Sequence, residues 1–437
     1  MRSTPPDRSS ARSGWRRLGT AAAATAALLL AGFGTAVQAD AAPSATTAKA
    51  TWTATPCATP KHKGELACNS YRVTGGLTAY QKEQAKITGI TPKAADAATP
   101  SGYGPTDLRS AYGLTSAAAS NGAGETIAIV DAYNDPNAEA DLATYRSYYG
   151  LSACTTANGC FKKVSQTGST TSLPASDTGW AEEISLDLDM ASAVCPNCNI
   201  LLVEATSATM ANLGTAVNRA VTLGAKYVSN SYGGSESSSD TSYDSSYFNH
   251  TGVAITVSAG DSGYGAEYPA ASKYVTSVGG TALSKATSTT RGWSETVWKT
   301  SSTEGTGSGC SAYDTKPTWQ TDTGCTKRTI SDVSAVADPA TGVSVYDSYG
   351  ITAGWYTFGG TSASSPIIAG VYALAGTPST SSYPASFPYA KAGTSALNDV
   401  TSGNNGTCST TYLCTAQSGY DGPTGLGTPE GVSAFTG

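Results

Sequence analysis

At 437 residues the chain is long enough for one large domain with accessory segments, so core size places no limit on its fold. Charged residues make up 13% of it, against about 25% in ordinary soluble domains, and its surface therefore rests on hydroxyls and amides. A net charge of −6 leaves no basic footprint for nucleic acid, and a chain with few carboxylates to keep ionised suits an acidic medium.

Arg12, Arg16 and Arg17 precede an apolar run over residues 21–36 that contains Leu28-Leu29-Leu30, and small residues follow at Ala39-Asp40-Ala41. This is the pattern of a secretory signal peptide over residues 1–41, too short and Ala-rich for a membrane span, so the mature chain is expected to be extracellular and free of the membrane. Residues 42–100 are rich in Ala, Thr, Lys and Pro without a strong period, and read as a short propeptide or N-terminal arm. Regular structure is expected from about Tyr103, with residues 101–437 as the main domain.

Ten cysteines agree with export. They fall in close pairs, Cys57 with Cys68, Cys154 with Cys160, Cys195 with Cys198, Cys310 with Cys325 and Cys408 with Cys414, and five small disulfide loops are the simplest connectivity. Zinc or redox use of Cys195-Pro-Asn-Cys198 is the alternative, but a metal site needs further ligands and the histidines are only His62 and His250.

In the main domain, Thr126-Ile-Ala-Ile-Val-Asp131 reads as a strand and residues 138–149 as the helix after it. Apolar runs recur at Asn199-Ile-Leu-Leu-Val-Glu204, Lys226-Tyr-Val-Ser-Asn-Ser231, Val253-Ala-Ile-Thr-Val-Ser258 and Tyr274-Val-Thr-Ser-Val278, with a helix expected over 210–223. Continuous apolar strands alternating with helices imply an α/β fold with a doubly wound, mostly parallel sheet covered on both faces, and ligands at the strands' carboxyl ends. Residues 286–349 read as loop-rich.

Three features carry chemistry. Thr178-Gly-Trp-Ala-Glu-Glu-Ile-Ser-Leu-Asp187 opens a helix capped by Asp177 or Thr178, which puts Glu183 and Asp187 four residues apart on one face. Such a pair is ordinarily solvated, but a buried pair shares a proton and becomes a possible base in acid. Asp261 follows a strand in the turn Ser258-Ala-Gly-Asp-Ser-Gly263. In Phe358-Gly-Gly-Thr-Ser-Ala-Ser-Ser-Pro366, Ser362 is expected at a helix N-terminus, with Pro366 in the opening turn, where oriented N–H groups suit a nucleophile that creates an oxyanion.

From about Tyr103 onward the chain resembles the sedolisins, secreted serine-carboxyl peptidases of subtilisin-like fold. The matching motifs are Glu183-x-x-x-Asp187, Ser258-Ala-Gly-Asp261-Ser-Gly263, Tyr268-Pro-Ala270, Val278-Gly-Gly-Thr281, Gly360-Thr-Ser362-x-Ser-x-Pro366, Asp399-Val400 and Gly419-Tyr-Asp421-x-x-Thr-Gly425-Leu-Gly427. The resemblance implies polypeptide substrates, Ser362 as nucleophile, Glu183 as its base, Asp187 as the carboxyl that orients Glu183, and Asp261 as a neutral donor in the oxyanion hole. It also implies one structural calcium, held by the Asp399 and Asp421 carboxylates and the carbonyls of Val400, Gln417 and Gly419. The chain is expected to act as a monomer. It departs from the family in a short segment before Tyr103, in Tyr232 where Trp is usual, and in Cys310 within a glycine-rich loop. The competing readings are a neutral Ser-His-Asp protease, which lacks a suitably placed histidine, and a catalytically inactive binding protein.

Overall fold

A computed structural model describes residues 48–90, 92 and 97–437, and the expected signal peptide lies outside the described residues. Regular structure begins well before Tyr103. Strands β1 (Thr51–Ala54) and β3 (Tyr71–Gly75) pair antiparallel, and β3 continues onto the strand Gly354–Gly359, setting Tyr71 opposite Gly359 and Arg72 opposite Phe358. Between them β2 (Ala67–Cys68) pairs with residues 232–233. The helix Ala79–Thr88 follows, its first turn closed by a capping box of Thr78 and Gln81. The segment expected as an arm is thus woven into the main domain.

The central sheet takes the order Trp293–Val297, Thr276–Lys285, β9 (Ala254–Ser258), β7 (Tyr227–Asn230), β4 (Thr126–Ala132), β6 (Asn199–Ala205) and β5 (Phe161–Ser165), with Val333–Val336 also paired to Thr276–Lys285. All its pairings are parallel except that of Trp293–Val297. Alternation along the strands divides the core between two faces. In β4, Ile127 and Ile129 join Ile184, Leu188 and Ile367 on one side, while Ala128 and Val130 join Leu213, Ala216 and Val217 on the other. The helices Thr178–Val194 and Thr361–Ala375 pack together on the first face, and Met210–Thr222 covers the second. All these apolar side chains are buried, and truncating one such as Ile129 to Ala costs about 2–5 kcal/mol.

The stretch 286–349 is less loop-like than its composition implies. It holds Trp293–Val297 and Val343–Asp347, each paired antiparallel with a strand close by in the chain, and Gly305–Cys310 and Val333–Val336, which pair with strands farther away. All five expected disulfides are present, and no described cysteine is free. The strand order reverses about β4, so the carboxyl ends of β4, β7 and β9 lie side by side, with Asp131, Ser231 and Asp261 buried at or just beyond them.

Candidate active site

The strand Gly354–Gly359 delivers the chain to Gly360, whose φ of 101° disfavours any other residue. A Cβ there would also stand 2.2 Å from the Asn69 carbonyl oxygen and 2.6 Å from Asp261 Oδ2. The helix Thr361–Ala375 starts at the next residue, which places Ser362 in its first turn. Pro366 lies inside the helix and not in the opening turn where the sequence placed it. Its missing N–H leaves the Ser362 carbonyl without a helical donor, and Ser231 Oγ stands 3.3 Å from that oxygen. Ser362 Oγ donates to the Ser231 carbonyl at 3.3 Å and accepts from the Asn69 N–H at 3.0 Å.

Glu183 and Asp187 project toward this point from the helix Thr178–Val194, which is capped by Asp177 accepting from the Trp180 N–H at 3.0 Å. Both are fully buried. Ser70 Oγ donates to Glu183 Oε2 at 2.5 Å, and Ser231 Oγ lies 2.9 and 2.7 Å from the two Asp187 oxygens. One Ser231 proton cannot serve both Asp187 and the Ser362 carbonyl. Both contacts are satisfied when a neutral Asp187 donates to Ser231. Burial raises Glu183, and the hydrogen bond from Ser70 opposes the rise. Asp187 is raised well above the carboxyl range by burial and then by the charges of Asp131 and Glu183.

Asp131 escaped the sequence reading. It stands near the carboxyl end of β4, fully buried, with neither oxygen hydrogen-bonded, and burial followed by the charges of Glu183 and Glu204 raises it strongly. Its position beside a strand's carboxyl end was the available signal. Among the described residues, the ion pairs engage other carboxylates, so Glu183, Asp187 and Asp131 form a proton-sharing set without a basic partner. Ser70 is the hydroxyl donor to Glu183, whose Oε1 has no partner, so that oxygen is open to take a proton.

Asp261 Oδ1 accepts from the Thr361 N–H and from Thr361 Oγ1, each at 2.8 Å, while Oδ2 has no partner. Burial outweighs those bonds and raises Asp261 well above its ordinary value, with Glu267 and Glu183 adding to the shift. A neutral Asp261 therefore has a free O–H to offer beside Ser362. His250 is bonded to Asn218 and His62 is exposed, so neither supplies an imidazole to these groups.

Of the expected metal ligands, the Asp399 and Asp421 carboxyls both meet the loop that carries Gln417 and Gly419, through its backbone N–H groups. Asp421 Oδ2 accepts from the Gln417 N–H at 3.0 Å, its Oδ1 from the Thr424 N–H and hydroxyl, and Asp399 Oδ2 from the Gly419 N–H at 2.9 Å. Burial, with the charge of Asp399 among the smaller causes, pushes Asp421 up to about 7. The two carboxyls repel each other and, among the described residues, have no basic partner in the ion pairs, which is donor chemistry that fits an oxygen-seeking cation.

A parallel sheet with a serine at a helix start and an acidic crevice at its strand ends defines a subtilisin-like α/β protein. The Subtilase family matches residues 175–386. The chain is 31% identical over 366 residues to kumamolisin of Bacillus sp. (strain MN-32), covering 77% of this chain and 63% of that one. It is 30% identical over 368 residues to sedolisin of Pseudomonas sp. (strain 101), covering 76% and 60%. It thus spans less than two thirds of either relative's length. The structure of Pseudomonas sedolisin, a serine-carboxyl proteinase complexed with two molecules of pseudo-iodotyrostatin, matches with a TM-score of 0.61 at 26% identity, over 76% of this chain and 96% of that one. The Subtilase match, the two relatives and the solved neighbour together support the sedolisin family for this chain.

Proposed function

We propose that this chain is a secreted, acid-acting serine-carboxyl endopeptidase. The observation that carries the reading is the meeting of Ser362, Glu183, Asp187 and Asp261 in one buried crevice without an imidazole. Ser362 Oγ attacks the substrate carbonyl while its proton passes to Glu183. Asp187, held by Ser231, orients Glu183 and shares its charge. The oxyanion is met by the Ser362 N–H and the Asp261 O–H, and it forms beside a helix N-terminus whose field favours it. Glu183 must be ionised while Asp261 is neutral, which the coupled set allows when its one charge sits on Glu183 and Asp187 and Asp131 hold protons, and activity dies as pH rises through the pKa of Asp261.

A calcium ion held by Asp399, Asp421 and the carbonyls of Val400, Gln417 and Gly419 would pin the C-terminal loops, outside the chemistry. Ser362→Ala and Glu183→Gln should each cut turnover of denatured protein in acid by about 10⁶ while the chain stays folded, because nucleophile and base act as one unit. Proteolysis by purified Ser362→Ala at the wild-type rate would remove the reading. An inactive binding protein would show no turnover at any pH, and a neutral protease would show it chiefly at neutral pH.

A further inference from the structure

The crevice is already filled by the chain's own segment 66–71. Cys68 pairs antiparallel with Tyr232 and Ala67 with Gly233, in strand β8 (Tyr232–Ser235), so the segment adds an edge strand as a bound peptide does. Asn69 comes next. Its N–H donates to Ser362 Oγ at 3.0 Å and its carbonyl oxygen accepts from the Ser362 N–H at 2.9 Å. That oxygen occupies the space Gly360 leaves open, beside the unpartnered Asp261 Oδ2. The Asn69 side chain donates to Ser258 Oγ at 2.9 Å, and Ser70 Oγ donates to Glu183 Oε2 at 2.5 Å. The carbonyl thus sits where the oxyanion forms, and the residue after it leans on the base that would protonate its nitrogen.

We propose that Asn69–Ser70 is a processing site, the bond that Ser362 cuts in its own chain. This rests on the peptidase reading above. Ser362 Oγ attacks the Asn69 carbonyl carbon as its proton passes to Glu183. The C–N bond breaks as that proton goes to the Ser70 nitrogen, and water hydrolyses the Asn69–Ser362 ester, leaving a carboxyl group on Asn69 and an amine on Ser70.

The cut does not by itself empty the crevice. β1 before the bond and β3 after it are paired with each other, and the Cys57–Cys68 disulfide closes the loop on the N-terminal side. The disulfide sulfurs also lie within 4.8 Å of a Glu183 oxygen, so the loop covers the base as well. Activity on added substrate therefore follows departure of the N-terminal piece and lags behind the cut.

The full chain, purified at neutral pH and shifted to acid, is followed by intact mass and N-terminal sequencing, with turnover of denatured casein measured in parallel. The expected result is a new N-terminus at Ser70, formed at a rate unchanged over about a hundredfold dilution because the step is intramolecular, and absent in both Ser362→Ala and Glu183→Gln. The proposal falls if wild type hydrolyses casein while Asn69–Ser70 stays intact, if another bond is cut first, if cutting slows in proportion to dilution, or if both variants are cut equally. Absence of cutting together with absence of casein turnover in acid would instead overturn the peptidase reading, and this proposal with it.

Discussion

The two oxygens of Asp261 have different duties. Oδ1 is fixed by the Thr361 N–H and hydroxyl, which leaves Oδ2 as the only atom able to donate toward a substrate oxygen. Because burial raises this carboxyl well above its usual value, it stays neutral through the acid range and loses its donor when it ionises. Asp261→Asn keeps an oxygen for Thr361 and a donor for the oxyanion at every pH. Its turnover should be below wild type in acid but should lose the alkaline limb of the pH–rate profile. Asp261→Ala should be lower by about 10²–10³ throughout, the usual cost of one oxyanion donor. Rates measured from strongly acid to neutral pH decide the matter, and an Asn variant with an unchanged alkaline limb would take Asp261 out of the mechanism.

Among the elements, those that announce themselves locally were legible and those made by distant partners were not. The apolar runs of β4, β6, β7 and β9 and the helix over Glu183 and Asp187 stand within a residue or two of where the sequence puts them, because burial on both sheet faces and a cap at Asp177 are written locally. β1 is a four-residue strand, mostly exposed, whose only strand partner among the described residues is β3, and β3 itself is fixed by Gly354–Gly359. Asn69 and Ser70 belong to no periodic pattern, and their place in the crevice is set by Ser362 and Glu183 far along the chain. The Cys57 and Cys68 pair was the one local sign that this segment is built and not loose. The calcium expected at Asp399 and Asp421 in the C-terminal loops carries a prediction of its own. Removing calcium with a chelator, or Asp421→Ala, should lower the melting temperature by several degrees, since a ligand bound only by the folded state stabilises it by linkage. Melting indifferent to chelator and mutation alike would remove the calcium assignment.

For the whole molecule the governing fact is how many carboxyls are buried, several of them with no cation beside them. Asp135, Glu182, Glu204 and Glu267 are pushed up to about 7 and Asp314 to about 8, with burial the first cause in each, and burial also raises Glu183, Asp131, Asp187, Asp189 and Asp261 above the usual carboxyl value. In the unfolded chain the same groups lose their protons near pH 4. Between that value and their folded pKa the native state holds more protons than the unfolded one, so stability falls as pH rises. The contribution is complete below about pH 4 and is lost progressively through about pH 7–8. Lys163 near Glu204 and Arg72 near Glu182 offset part of this, being the second cause at each site, and no cation offsets it at Glu183, Asp187, Asp131 or Asp261. The melting temperature of Ser362→Ala, used so that self-digestion does not intrude, should therefore be highest in mild acid and fall toward neutral pH. Asp131→Asn should flatten that fall, because an amide at this position cannot ionise and asks for no proton. A melting temperature that rises from acid to neutral pH would mean that these carboxyls are ionised in the folded chain, and would withdraw the neutral Asp261 on which the acid mechanism depends.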